Sequence, residues 1–133
     1  MATRSTNYNV GNVPPFLEWT VVRGDTSSFK VYLVDDAFVP VDISLWNIEM
    51  AIKRPNDPRN AGVLTDDSTL VTTLYPEADE DDLDGEFTVT IPAADSALLE
   101  AGDIFDIELS LPQRTKVWTV AQGYINLIED VTN

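Results

Sequence analysis

A run of carboxylates is the part of this 133-residue sequence best suited to chemistry. Seven acids lie between residues 77 and 86, in the stretch PEADEDDLDGE. Carboxylate oxygens are the ligands that Ca²⁺ prefers. The candidate ligands are Asp79, Asp81, Asp82 and Asp84. An EF-hand loop has glycine at position 6 and glutamate at position 12, but with Gly85 at position 6 the twelfth residue is Ile91. The run is therefore either a solvated acidic hairpin or a calcium loop of another kind, and we expect no other cofactor.

The sequence lacks two of the side chains that enzymes use most often for catalysis. The sequence contains no cysteine and no histidine, which excludes Ser–His–Asp triads, thiol nucleophiles and zinc sites built on these residues. Paired carboxylates can hydrolyse glycosides, but nearly all the acids fall in turns or on outward strand positions. We therefore expect no enzymatic activity and assign no catalytic residue.

The charge balance limits the partners. A formal net charge of −15, from 23 acids and 8 bases, repels nucleic acid and anionic lipid. No apolar stretch approaches the roughly 18 residues of a membrane span. We expect protein partners, with no nucleic acid and no membrane.

Opposite charges are concentrated in two places. Three of the bases, Lys53, Arg54 and Arg59, lie close together, whereas the acids crowd residues 77–86. Such patches either join copies of the chain head to tail or neutralise each other within one chain. The candidate partner contacts are Tyr8, Lys53, Arg54, Arg59, Glu80 and Asp82.

Alternating apolar and polar residues predict β-strands throughout the chain after residue 15. The predicted strands are 16–22, 27–34, 45–53, 69–75, 86–91, 103–111 and 116–131, the last bent at Gly123. One short crossover helix is predicted near residues 92–101, with Pro92 in its first turn and Gly102 as its cap. The pattern predicts an all-β protein, an Ig-like sandwich of two antiparallel sheets with seven or eight strands.

The same pattern divides the chain into an extended N-terminal arm, residues 1–15, and a single β-sandwich domain, residues 16–133. The connection at residues 54–68 contains Pro55 and Pro58, which oppose regular sheet pairing. We expect it to be a contact surface or a flap.

Three tryptophans raise the possibility of a carbohydrate-binding module. Trp19 and Trp46 share their strand faces with apolar residues, which indicates core positions, whereas the pattern around Trp118 is ambiguous. Binding of host glycans therefore stays an alternative function.

The tripeptide Arg23-Gly24-Asp25 lies between the first two predicted strands. Integrins recognise this tripeptide, but a glycine between two strands is typical of a tight turn. We interpret it as a turn and a marker of the fold, in which loss of Arg23 costs little stability.

Several spaced motifs resemble a known family. They are the RGDT turn at 23–26, TVTIPAADSALLEAG at 88–102, DIFDIEL at 103–109 and IEDVT at 128–132. Their order is similar to that in small Ig-like β-sandwich structural domains of tailed-bacteriophage virions, found in tail, baseplate and fibre-attachment proteins. The likeness spans about residues 16–132.

The resemblance implies a non-enzymatic virion structural protein that is assembled in the host cytoplasm. It favours a tail-tip, baseplate or fibre-attachment adaptor whose partners are other virion proteins and copies of itself. A capsid decoration or head–tail completion protein is an alternative. The chain ends close to its last predicted strand, so we expect a free-standing adaptor and not a host-reading tip.

Overall fold

The structure is a computed structural model that describes the backbone of residues 5–9 and, in full, residues 14–34, 37–77 and 85–129. Eight strands and one helical turn make up the regular structure of these residues. They are β1 (Ser5–Asn9), β2 (Phe16–Val22), β3 (Ser27–Val34), β4 (Asn47–Pro55), β5 (Ser68–Leu74), β6 (Glu86–Ile91), α1 (Ala93–Ser96), β7 (Ile104–Ser110) and β8 (Val117–Ile128). Short 3₁₀ turns cover Pro58–Asn60 and Pro112–Arg114.

The strands form two sheets, in the orders β1-β3-β6 and β2-β8-β7-β4-β5. This architecture confirms the predicted all-β sandwich. The pairing is not purely antiparallel, because β2 runs parallel to β8 and β1 runs parallel to β3. Parallel neighbours cannot be joined by a hairpin, so local sequence patterns carried no sign of either pair.

The core lies between the sheets and is organised around Trp19. Its ring packs edge-on against Phe29 of the opposite sheet at 4.8 Å and near Phe105 at 6.2 Å. The indole N–H donates to Ser27 Oγ at 3.1 Å, which satisfies the one polar atom of this buried side chain. The alternation predicted from sequence holds in β3, β6 and β7. Their buried residues include Phe29, Val31, Leu33, Phe87, Val89, Ile91, Phe105, Ile107 and Leu109.

β8 pairs regularly with both neighbours at Gly123, where the sequence predicts a bend. The irregularity lies earlier, where Ile107 pairs with Ala121 and Glu108 with Thr119, leaving Val120 as an extra residue. Gly123 instead permits a close approach of β2, because a Cβ atom there would lie 1.8 Å from the carbonyl oxygen of Leu17.

The predicted crossover helix is present but short. α1 is a single turn, and the chain continues through bends to Gly102, which has a φ of +88°. Ser96 and Leu99 are buried within this segment. The carbonyls that follow α1 are bound by arginine side chains from other elements, as described below.

The connection at residues 54–68 is an ordered extension of the β4–β5 pair. Pro55 lies opposite Ser68, and Asn56 N–H donates to the Asp67 carbonyl at 2.9 Å. Pro55 therefore lies within the sheet, contrary to the expectation from its type. The loop also bonds to the crossover segment, since Gly62 N–H donates to the Gly102 carbonyl at 2.7 Å.

The acidic run does not connect a hairpin. The strands on either side of it, β5 and β6, belong to different sheets. Residues 78–84 lie outside the described residues, so the four candidate calcium ligands and the contact residues Glu80 and Asp82 are not placed. The described residues contain no helical segment with the length and hydrophobicity of a membrane span.

Candidate interaction surface

The Arg23-Gly24-Asp25 segment forms a tight turn between β2 and β3. Asp25 N–H donates to the Val22 carbonyl at 3.0 Å, and Gly24 has a φ of +85°. A four-residue turn with positive φ at its third position is a type II turn, which favours glycine there. Gly24 N–H also donates to Ser96 Oγ at 3.0 Å, which ties the turn to α1.

Arg23 has a larger role than the sequence suggested. Its Nε donates to both carboxylate oxygens of Glu129 at 2.8 and 3.1 Å. Its Nη1 donates to the Leu99 carbonyl at 2.7 Å. The hydrogen bond to Glu129 is the main cause of a raised Arg23 pKa. The side chain thus joins the turn, the crossover and the residue that follows β8.

Arg54 binds the other side of the same crossover. Its guanidinium makes a two-pronged contact with Asp103, from Nε to Oδ1 at 2.8 Å and from Nη2 to Oδ2 at 2.9 Å. It also pairs with Glu100 at 2.7 Å and donates to the Leu98 carbonyl at 3.0 Å. The bond to Asp103 is the main cause of the raised Arg54 pKa. Because its guanidinium nitrogens already bond within the chain, Arg54 is a poor candidate for a contact with another protein.

The three bases predicted as partner contacts do not converge. Lys53 and Arg54 are successive strand residues and point to opposite sides of their sheet, Lys53 toward a concavity that Asp106 also lines. Arg59 pairs with Asp57 of its own loop at 2.8 Å and is 88% exposed. That bond raises the pKa of Arg59 and lowers the pKa of Asp57. The side chain of Tyr8 lies outside the described residues, so its contact role stays a prediction.

The described part of the chain contains no metal-binding cluster, and its three tryptophans are buried or half-buried. No group of three or more acidic, histidine or cysteine side chains is placed there to hold a metal ion. Trp19 is buried, whereas Trp46 and Trp118 are half-buried and pack edge to face at 6.1 Å. Both indoles pack against the core, so each ring is partly covered.

Five of the eleven large apolar side chains that are exposed in the described part of the chain lie at one end of the sandwich, which we call the apolar end. It comprises residues 37–46 before β4, residues 75–77 after β5, and the β7–β8 loop with Val117 at the start of β8. The exposed fractions are 76% for Phe38, 53% for Val39, 75% for Leu45, 72% for Tyr75 and 43% for Val117.

The loops of the apolar end adjoin one another. Asn47, at the start of β4, pairs with Ser110, at the end of β7. Tyr75 and Ser44 line one concavity of about 600 Å³. Exposed apolar patches of this kind mark interaction surfaces in soluble proteins.

The same end carries unusual backbone conformations. Of the described residues, the non-glycine residues with positive φ are Phe38 at 62°, Gln113 at 59° and Arg114 at 54°. All three lie in the loops of the apolar end. The left-handed conformation costs an L-residue about 1–2 kcal/mol, and Phe38 does not offset this cost by burying its ring. Strain of this kind concentrates at functional sites.

The β3–β4 loop is nevertheless held in place. Val34 pairs with Pro40 in an isolated bridge, and the Asp42 carboxylate accepts bonds from Ser44 N–H at 2.9 Å and Ser44 Oγ at 2.6 Å. The bonds from Ser44 lower the pKa of Asp42. Sequence reasoning missed this surface. The one available signal was the cluster Ala37-Phe38-Val39-Pro40, apolar residues between two strands.

Comparisons with known proteins identify the fold. No protein-family profile matches the sequence, and no curated protein matches it. Among solved structures, the chain is similar to the N-terminal domain of ORF48 of phage TP901-1, with a TM-score of 0.59 and 7% identity. The likeness covers 96% of this chain and 98% of that domain. A second structure, the NK cell receptor NKp44, gives a TM-score of 0.46 at 18% identity over 88% of this chain and all of that one, too distant to support an inference. The likeness to the phage domain establishes a shared fold.

Proposed function

We propose that this chain is a non-enzymatic structural protein of a tailed-phage virion that assembles with other virion proteins through its apolar end. The observation that carries the proposal is the fold shared with a phage domain over 96% of the chain. The sequence motifs that resemble virion sandwiches point to the same class.

The position within the particle is the finer part of the proposal. The motif resemblance favours a tail-tip, baseplate or fibre-attachment adaptor, with a capsid decoration or head–tail completion protein as the alternative. Immunogold labelling of intact particles with antibodies to the chain distinguishes these positions. We expect label at the distal end of the tail. Label on the head would favour the alternative, and unlabelled particles that also lack the chain by mass spectrometry would exclude a virion role.

The apolar end gives the proposal a physical basis. Phe38, Leu45 and Tyr75 expose apolar surface at the same end of the sandwich, and burying such surface against a partner is favourable. Aromatic and large aliphatic side chains dominate the energy of protein interfaces. The strained Phe38 conformation is a cost to the isolated chain that a bound partner can offset.

The N-terminal arm is the second proposed assembly element. The backbone of Ser5–Asn9 pairs with β3 of its own chain, and its role in assembly rests on sequence. A chain shortened to begin at Phe16 is expected to fold, because the described core begins at Trp19. We expect the shortened chain to be lost from particles. Normal incorporation would remove the arm from the proposed function.

Carbohydrate binding is the alternative from a different class. It would require exposed aromatic faces, and of the tryptophans Trp19 is buried whereas Trp46 and Trp118 are half-buried. Glycan-array binding that disappears on addition of EDTA would favour a calcium-assisted carbohydrate-binding module over the structural role. We expect no binding above background.

A further inference from the structure

A second candidate surface is the β5 edge of the five-stranded sheet. β5 is the last strand of that sheet, and no other described strand pairs with its outer side. Outside the sheet itself, the described backbone hydrogen bonds involve none of residues 69–74. A free strand edge offers a row of backbone donors and acceptors to an added strand.

The sequence of β5 lacks the residues that usually prevent an edge strand from pairing with another strand. STLVTTL contains no charge, no proline and no glycine, although 31 of the 133 residues of the chain are charged. Proteins that protect an edge against pairing place lysine, proline or another charge on it. β-branched residues, by contrast, favour the extended conformation.

A bulge in β5 re-aims one apolar side chain toward the surface. Ile52 pairs with Thr72 and Lys53 with Leu70, so Val71 is an extra residue on β5. Val71 packs against the core, and Leu70 is 57% exposed. Without the extra residue, Leu70 would face inward like Leu74.

Leu70 faces a groove between β5 and the crossover. The groove has a volume of about 500 Å³ and is lined by Leu70, Val71 and Leu98 together with residues at the end of β4. Leu98 is 56% exposed. An added strand can bond to the β5 edge and also place apolar side chains against the groove that Leu70 and Leu98 line. The bulge shortens each regular stretch of the edge, so the groove must supply part of the affinity.

The charges around β5 select the partner. Asp66 and Asp67 precede the strand, Glu77 follows it, and all three are exposed. The nearby bases have acids of their own, because Lys53 lines a concavity with Asp106 and Arg54 pairs with Asp103 and Glu100. An antiparallel pair of two β5 strands would bring Asp66 and Asp67 of one copy beside Glu77 of the other, which opposes self-association.

We propose that the β5 edge and the Leu70–Leu98 groove bind an extended strand of another protein, with an apolar centre and lysine or arginine flanks. This inference stands whether or not the chain belongs to a virion, since it rests on the edge, the groove and the charges alone.

Synthetic peptides of about nine residues, long enough to span β5, test the proposal with the full-length chain. One peptide has a Thr/Val/Leu centre with lysine flanks, a second has the same centre with glutamate flanks, and a third has lysine flanks and a central proline. We expect amide chemical-shift changes in β5 with the first peptide and a Kd at least about tenfold lower than for the second. That ratio should shrink in about 1 M salt, where the Debye length is about 3 Å, and the proline peptide should not bind.

Two variants with the same charge change locate the site. Leu70→Lys should weaken the lysine-flanked peptide at least about tenfold, whereas Val117→Lys, an exposed position at the apolar end, should change its Kd less than about threefold. Equal binding of all peptides, shifts that map to another strand, or no binding by about 1 mM would overturn the proposal. So would a concentration-dependent dimer of the chain alone that pairs through β5, which would assign the edge to a second copy.

Discussion

The guanidinium of Arg54 donates two hydrogen bonds, of 2.8 and 2.9 Å, to the carboxylate of Asp103, which lies 49 residues away in the sequence. Asp103 is 1% exposed, and its Oδ2 also accepts from Glu100 N–H at 2.8 Å. Arg23 binds the carbonyl of Leu99 from the other side. The crossover between the sheets is therefore fixed by two arginines from separate elements, at the end of the molecule opposite the apolar end.

Replacing Arg54 tests this arrangement. Breaking a buried ion pair costs about 3–5 kcal/mol because it leaves an uncompensated charge. Arg54 is 37% exposed, so solvent screening lowers our expectation for Arg54→Met to about 2 kcal/mol of unfolding free energy. Urea denaturation measures the loss. Arg59→Met is the matched control, because Arg59 is 88% exposed, and it should change little. An equal effect of the two substitutions would show that the Asp103 contact is not stabilising.

The turn at Gly24 supplies a second prediction. A Cβ atom at this position would meet no neighbour within 4 Å, so any cost comes from the backbone conformation alone. Gly24→Val should lower the unfolding free energy by about 1–2 kcal/mol. Gly24→Asn should cost clearly less, since asparagine tolerates positive φ. Thermal melts of both variants decide the point, and equal losses would indicate that contacts matter here instead of φ.

Asp106 predicts a pH dependence. Burial raises the pKa of this carboxyl, and Glu108 and Glu49 raise it further while Lys53 opposes them. The folded state therefore holds the proton more tightly than the unfolded state, so stability falls as the pH rises from 3.8 through the folded pKa. Asp106→Asn should be more stable than the natural chain at pH 7 and no more stable at pH 3. Urea midpoints at both pH values measure this. Asp66→Asn, at an exposed position, is the control, and a gain from Asp106→Asn that persists at pH 3 would contradict the assignment.

The positive φ of Phe38 predicts that some substitutions at this proposed contact residue will stabilise the isolated chain. Phe38→Asn places a residue that accepts positive φ, and it should raise the unfolding free energy by about 1 kcal/mol. Phe38→Ala removes the ring but keeps the strain, so it should bring no such gain. Chemical denaturation of the two variants separates these effects. If alanine stabilises as much as asparagine, exposure of the ring and not the backbone is the source of the cost.

Local patterns predicted much of the fold. The alternation of Phe29, Val31 and Leu33 located β3 and its buried face, and the bounds of β2 and β3 agree with those in the structure. The parallel pairing of β2 with β8 could not be foreseen, because it joins residues more than 100 positions apart with no hairpin between them. For the same reason the sequence predicts a bend at Gly123, whereas in the structure the close approach of the Leu17 carbonyl is what requires a glycine there.

The candidate surface was harder to predict than the fold. Counting charges singled out Arg54 as a contact residue, but only the folded chain brings it to Asp103. The exposure of Phe38 and Leu45 could not be predicted, since apolar residues are usually buried and no local pattern marks the exceptions.

The number of copies of the chain per purified virion, measured by quantitative mass spectrometry, tests the central claim most directly. The comparison is between the natural chain and the variant Phe38→Asn/Leu45→Ser, with Val63→Ser, an exposed apolar residue away from the apolar end, as the control. We predict a fixed copy number for the natural chain and the control. The apolar-end variant should fall about tenfold or more, because loss of interface anchors costs about 2 kcal/mol or more. Absence of the natural chain from particles, or normal incorporation of the variant, would contradict the account.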